Sequence, residues 1–489
     1  MYRAVVLGVD GLNPEMLRRW LDDLPSLKKI QQEGIWGELE STIPPTAPQA
    51  WISSQCGQNP GAYGLWDYTY RGDFSYGESE LADSKTIDDR VDCLYRILPR
   101  MGQKVALTNA PLTWPPPEIP GGYCISNLVP QNKEISFTWP KSLKDDVNKL
   151  LEDYIFDPFD TQRDSKLTET DRVVERIHDM DSQRLSLVRN FIHEKNCDYV
   201  FAVLTGAKLI LRLLWGKSGQ NDSLAHYQDV LREYYKWIDA NIGEICKGLD
   251  SETVLFLYSP YSTEKAEGGI NLNEWLIHNG YLTLDKYPEK PAVFKDLNVD
   301  WTKTRCWSMG KSGKLYVNLK GRETQGIVEP DDYDKLLDEL ADKISDIHDE
   351  NGTALDPYVF KRDETHFGRY EEYGPDLFIQ IEKVPWNTND WVGYGLGVIC
   401  SSDQREEPDS EYHGRYGYFC LSGSDVPAIG ELRDISVLNM APTVMEILRL
   451  EIPVHMEKPS ILSMAKEKQK KSCVSRKERV RSRLKALGY

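Results

Sequence analysis

Arg3-Ala4-Val5-Val6-Leu7-Gly8-Val9-Asp10-Gly11 opens the chain with a short, β-branched apolar run that halts at a carboxylate and a glycine. A run of this length and composition reads as a β-strand, with the acidic residue at its carboxyl end. Similar runs recur at residues 105–108, 199–204, 254–258, 377–381 and 418–421. Between them lie helix-like stretches: Leu185, Val188 and Ile192 repeat at helical spacing, as do Leu231, Tyr235, Ile238 and Ile242. The alternation predicts an α/β protein with a mainly parallel central sheet covered by helices on both faces. Residues 276–398 mix hairpin-like and helical patterns, and read as an inserted α+β subdomain. The core domain is then discontinuous, 1–275 and 399–465, and 466–489 forms a basic C-terminal tail.

Composition narrows the function classes. The chain has 489 residues, 40% hydrophobic and 28% charged, which suits a soluble globular fold. No stretch approaches the roughly 20 apolar residues of a membrane span, and the first residues read as a strand rather than a leader, so a cytoplasmic protein is expected. The nine cysteines form no CxxC pair and signal neither a disulfide framework nor a structural zinc site. A net charge of −18 argues against nucleic acid as the main partner. The tail opposes that sign, but Val480, Leu484 and Leu487 have the spacing of a short helix packing back on the body.

Open sheets bind ligands beyond the carboxyl ends of their strands. The residues to inspect there are Asp10, the Thr205-Gly206-Ala207-Lys208 turn with Arg212 one helical turn further on, Ser259-Pro260-Tyr261-Ser262, and His413 before the final strand. The aromatics from Trp51 through Tyr63, Trp66, Tyr68 and Tyr70 to Tyr76 belong to the same loop system. They read either as core caps or as surfaces on which a ring could stack. Ser53, Ser54 and Cys56 read as caps or packing.

Together with GVDG at 8–11, several segments carry a family likeness: STIPPTAPQAWISSQCGQNPGAYGLWDY (41–68), NAPLTWPPPE (109–118), NLNEWLIHNGYL (271–282), LYVNLKGRETQGIV (315–328), YGPDLFI (373–379), HGRYGYF (413–419), NMAPTVMEIL (439–448) and RLKALGY (483–489). Through them the chain resembles the type I phosphodiesterase/nucleotide pyrophosphatase family of the alkaline phosphatase superfamily. The resemblance implies an alkaline-phosphatase-like fold. It also implies two divalent metals, often zinc, held by three Asp, three His and a Thr or Ser nucleophile, which activate the hydroxyl and clamp the phosphoryl oxygens. Most of that set is replaced here. Asp10 and His413 match family ligands, but Lys208 and Arg212 stand for an Asp and its His, and Pro260 and Tyr261 for the Asp-His pair of an SDHG motif. The nucleophile position falls on Ala47, with Thr46 as its neighbour.

Lysine and arginine only donate hydrogen bonds and repel a cation. The expectation is therefore no metal, no cofactor, and a repurposed family member that binds a phosphate-, sulfate- or carboxylate-bearing small molecule through Lys208 and Arg212. In this reading a reaction on that molecule, in a specialised biosynthetic pathway, would use Asp10 or His413 as base and Tyr261 or Lys208 as proton donor. Two alternatives stand beside it. One is a pseudoenzyme whose cations merely pair with acids such as Asp10 while the fold serves as scaffold or regulatory binding protein. The other is a conventional metal-dependent phosphodiesterase using Thr46. Whether a reaction is catalysed, the protein partners and the oligomeric state stay open at this level.

Overall fold

The computed structural model describes residues 2–76, 80–127, 136–151, 153–156, 169–215, 224–349, 351–395, 397–401 and 411–470. The C-terminal stripe of Val480, Leu484 and Leu487 and most of the acidic segment 401–410 lie outside them. The strands that position the site are β1 (Arg3–Val9), β2 (Ile35–Glu40), β3 (Val105–Thr108), β4 (Tyr123–Ile125), β5 (Thr138–Trp139), β6 (Tyr199–Leu204), β7 (Thr253–Ser259), β8 (Ser262–Lys265), β9 (Glu411–Gly414) and β10 (Tyr416–Gly423). The helices are α1 (Ala47–Cys56), α2 (Glu169–His193), α3 (Gly206–Trp215) and α4 (Leu224–Gly248).

Among the described residues the main sheet has ten strands and runs β2-β10-β7-β1-β6-β3-β4-β5, with Gly430–Glu431 and Ile435–Ser436 beyond β2. Strands β7, β1, β6, β3 and β4 are mutually parallel. Strand β10 runs antiparallel to both β7 and β2, so the run at 418–421 belongs to the sheet with reversed direction. The run at 377–381 does not belong to it. Leu377–Gln380 instead joins a separate four-stranded sheet with Cys306–Ser308, Lys314–Val317 and Tyr358–Lys361.

Side chains of β1 divide by parity, as a strand requires. Ala4 and Val6 join the apolar cluster beneath α1, whereas Val5, Leu7 and Val9 join the cluster built with α2 and α4. Burial on both faces is why the strand reads as an unbroken apolar run. A third cluster, from Ile270 to Ile381, gathers around the four-stranded sheet and the helix Pro330–Ser345.

Register then levels the strand ends. Val9 pairs with Leu204, and Gly8 with Tyr258, so the residues that follow β1, β6 and β7 emerge at one edge. Gly8 also sets the height of α1. A Cβ built there would lie 2.5 Å from Cη2 of Trp51, whose indole is 1% exposed and tilts against Tyr258 with ring centroids 5.3 Å apart. Interiors this dense do not absorb an extra methyl without displacement. Gly8→Ala is expected to cost about 1–3 kcal/mol, read as a lower urea midpoint. An unchanged midpoint would mean that Trp51 and α1 shift freely.

Candidate functional site

Asp10 leaves β1 with its amide donating to the Leu204 carbonyl at 2.8 Å, which ties the end of β1 to that of β6. Gly11 turns the chain at φ +82°, in the left-handed region, where a Cβ would sit 3.1 Å from both Lys208 Cβ and Thr263 Oγ1. Helix α3 starts just after β6 and carries Lys208 and Arg212 on one face, four residues apart. Strand β8 pairs antiparallel with β9, setting Thr263 opposite His413. Two residues before His413 on the same strand, and so on the same face, stands Glu411. The Asn387 side-chain amide donates to the Glu411 carbonyl at 2.7 Å and fixes that backbone.

Glu411 is the centre of the site. Its Oε2 lies 3.2 Å from Lys208 Nζ and 3.2 Å from His413 Nε2, and its Oε1 lies 3.0 Å from Arg212 Nε. Lys208 Nζ is a further 3.9 Å from Asp10 Oδ2 and 3.4 Å from His413 Nε2. Burial works to raise the Glu411 carboxyl, but Lys208, the His413 hydrogen bond and Arg212 overcome it and bring its pKa down to about 2. Burial likewise works against the Lys208 ammonium, yet Asp10 and Glu411 hold its pKa above the ordinary lysine range.

His413 has its tautomer set by a neighbour. Nδ1 lies 3.1 Å from the Pro45 carbonyl, which can only accept, so Nδ1 bears a proton. On the neutral ring Nε2 then accepts from Lys208, and on the protonated ring it donates to Glu411. The imidazole stacks on Tyr261 at 4.4 Å between centroids. Tyr261 is fully buried and its hydroxyl donates to Asp10 Oδ1 at 2.5 Å. Burial, then the Asp10 charge, pushes the phenol well above its usual pKa.

A cavity of about 320 Å³ opens over this cluster, walled by Thr46, Ala47, Lys208, Arg212, Glu411 and His413, with Asp67, Tyr68 and Lys311 across from them. Asp10 and Tyr261 lie behind that wall rather than in it. Thr46 occupies the N-cap of α1, and Ala47 the first helical position. The Thr46 hydroxyl makes no capping bond, and Oγ1 is buried with no hydrogen-bond partner among the described residues. Ser53 and Ser54 sit deeper in α1, bonded to the hydroxyls of Tyr63 and Tyr258 at 2.8 Å each. Asp67 is held by Lys314 at 2.7 Å. The aromatic series divides: Trp51, Tyr63 and Trp66 are core, Tyr68 walls the cavity, and Tyr76 stacks on Trp301.

The sequence profile described as type I phosphodiesterase/nucleotide pyrophosphatase matches residues 4–387. The chain belongs to that family. Its fold is similar to murine ectonucleotide pyrophosphatase/phosphodiesterase 5, solved as an inactive variant with AMP: TM-score 0.51, 11% identity, 93% of this chain and 96% of that one covered. Phosphonoacetate hydrolase from Sinorhizobium meliloti 1021, in complex with phosphonoformate, is similar at TM-score 0.56 and 13% identity, covering 91% and 95%. A mutant of alkaline phosphatase PafA is similar at 0.55 and 12%, covering 94% and 98%. No curated protein sequence matches the chain significantly.

The two-metal centre of this family does not fit the residues present. Among the described residues no group of three or more His, Cys, Asp or Glu side chains is disposed to hold a metal ion. The Lys208 ammonium stands within 3.9 Å of Asp10 and 3.4 Å of His413, the two residues that the sequence resemblance sets at ligand positions. Glu411 is the site residue that the sequence reading passed over. Its signal was the i, i+2 spacing to His413, which aims a carboxylate at the same cations.

Glu411→Gln leaves Lys208 and Arg212 without their shared carboxylate, and a loss of about 3–5 kcal/mol is expected. The Glu411 pKa is depressed on folding, so its contribution is complete above the unfolded value near 4.5 and drains away as pH falls toward about 2. Urea titrations from pH 5 to pH 3 should show wild-type stability falling more steeply than that of the Gln variant. Parallel slopes would mean that Glu411 is not held ionised by these cations.

Proposed function

We propose that this chain is a metal-independent member of its family that binds a small molecule bearing phosphate, sulfate or carboxylate in the cavity over Thr46. One observation carries the reading: Lys208 and Arg212 already grip a carboxylate, that of Glu411, at 3.2 Å and 3.0 Å. A carboxylate is the chemical stand-in for the incoming anion. The Arg212 side chain is 38% exposed and lines the cavity, so its guanidinium is presented to an incoming anion. Thr46 and Ala47, at the N-terminus of the ten-residue α1, line the same space and bring its positive pole there. Two structures of similar fold were solved with anionic small molecules, AMP and phosphonoformate, which supports the class of ligand.

Chemistry on the bound anion falls, in this proposal, to the groups that reach the cavity. His413 Nε2 is the base, its other nitrogen anchored by Pro45, and Lys208 is the donor. Asp10 and Tyr261 act from behind, Asp10 holding the Lys208 charge and Tyr261 holding Asp10. The Thr46 hydroxyl is buried at the N-cap of α1, and a metal-activated route through it lacks the ligands it needs. The second reading, an inert cavity in a scaffold protein, draws on Glu411 as well, because that carboxylate offsets the cations without any ligand.

Thermal unfolding at constant ionic strength separates the two. Saturating phosphate or sulfate should raise the wild-type midpoint by several degrees over chloride. Arg212→Gln should weaken that response roughly tenfold in anion concentration, and Lys208→Ala with Arg212→Gln should abolish it. Equal responses in all three proteins would remove the anion site and favour the scaffold. A second check is elemental analysis of protein purified without chelator. It should find no stoichiometric zinc or manganese, and two bound ions would contradict metal independence.

A further inference from the structure

Strand β2 divides its side chains between two unlike surfaces. Ile35 and Leu39 join the cluster beneath α1, whereas Trp36, Glu38 and Glu40 alternate with them and point to the other face. Their register partners on β10 are Cys420, Tyr418 and Tyr416. The helices Pro14–Trp20 and Pro25–Glu33 pack on that face, and beside them the two strands floor a groove of about 770 Å³. Trp36, Tyr416 and Tyr418 make the floor aromatic. Gln31 Nε2 fixes Tyr418 by donating to its hydroxyl at 2.9 Å, while Tyr416 is 43% exposed.

Carboxylates rim this floor on two sides. Glu38 and Glu40 stand on β2, and Glu431 and Asp434 on the segment beyond it. Three guanidiniums meet these four acids: Arg18 at 2.5 Å from Glu38, Arg415 at 2.7 Å from Glu40 and Arg433 at 3.4 Å from Glu431. The Arg18 and Arg433 pairs lie in solvent, where such contacts are weak and exchange readily for another cation.

The chain itself leads to the groove. The helix at 461–470 packs on the cluster beneath α1 through Ile461, Leu462 and Ala465, and Lys468 Nζ donates to the Glu431 carbonyl at 2.7 Å. Its last turn thus lies at the sheet edge that rims the groove. Residues 471–489 follow, with seven Lys or Arg and one Glu, on a chain whose net charge is −18 in spite of them. Ser475-Arg476-Lys477-Glu478 has the pattern of a capping box and Gly488 suits a helix end, so the sequence predicts a helix over 476–487, about 18 Å long. At about 100° per residue, Val480, Leu484 and Leu487 form one stripe, with Arg479 and Arg483 on one flank and Lys477 and Arg481 on the other. The five residues 471–475 reach up to about 17 Å when extended, enough to round the edge of a sheet.

We propose that residues 476–487 dock as this helix in the groove over β2 and β10, the apolar stripe on Trp36, Tyr416 and Tyr418 and the flanking cations on the carboxylate rims. An apolar stripe between two rows of cations meets an aromatic floor between two groups of acids, and the point where the described chain stops puts the two within reach. The docked helix extends the helical cover of that face past Pro14–Trp20.

The test is zero-length carbodiimide cross-linking of the full chain in dilute solution, read by peptide mass spectrometry. Lys466 and Glu446, 2.7 Å apart, supply an internal control. Lys477 should join Glu38, Glu431 or Asp434 within the monomer. Leu484→Asp with Leu487→Asp, and separately Tyr416→Lys on the exposed floor, should each lower those links roughly tenfold or more and leave the control link unchanged. Lys477 links scattered over carboxylates elsewhere on the surface, or groove links that persist in either variant, would overturn the docked helix. Groove links confined to covalent dimers would assign the segment to a second copy of the chain and overturn docking on its own body. A control link with none from Lys477 would overturn the proposal as well.

Discussion

The contact of the Glu411 carboxylate with Lys208 and Arg212 is the constraint around which the site is organised. Three elements far apart in sequence deliver it: α3 after β6 brings the cations, β9 brings the carboxylate, and β1 brings Asp10 as a second counter-charge. Each ion is costly to desolvate alone, and such clusters hold only when every charge has its partners. That interdependence fixes the geometry of the cavity floor more than it stabilises the fold. The same charges hold Glu411 ionised down to about pH 2 and keep Lys208 protonated.

Positive charge is what a phosphoryl-binding pocket needs, and it can come from a metal or from side chains. This chain puts an ammonium within 3.9 Å of Asp10 and 3.4 Å of His413, the two residues whose sequence context resembles metal-ligand positions of the family. Ammonium and guanidinium groups bind anions directly and need no ligand set, but they do not generate a hydroxide as a metal does. The proposed chemistry therefore rests on His413, whose Nδ1 proton is fixed by Pro45 and whose Nε2 faces Lys208 and Glu411.

Much of this was legible in the sequence because the signals are local. Strands β1, β6 and β7 are buried on both faces, so each shows as an unbroken apolar run, and the turns after them place Asp10, Lys208 and Tyr261 at one edge. The i, i+4 spacing of Lys208 and Arg212 put both on one helix face, as the structure has them. What stayed hidden depends on pairings across the chain. The run at 377–381 has the composition of a sheet strand, but composition does not say which sheet, and it joins the four-stranded one. Glu411 meets Lys208 across some two hundred residues, and only β8–β9 pairing brings them together. Burial separates Asp10 and Tyr261 from the cavity, and burial is invisible to motif spacing. Thr46 and Ala47 differ by one position in sequence, yet helix capping distinguishes them: the hydroxyl sits at the N-cap and the methyl one residue in.

The central claim is that side chains, not inorganic ions, supply the positive charge of the cavity. Anomalous diffraction from a crystal grown with zinc chloride and soaked in tungstate tests it most directly. A tungsten peak within reach of Lys208 Nζ and Arg212, with no zinc peak between Asp10 and His413, is the expected map. A zinc peak coordinated by Asp10 and His413, with Lys208 swung out of the way, would contradict the account.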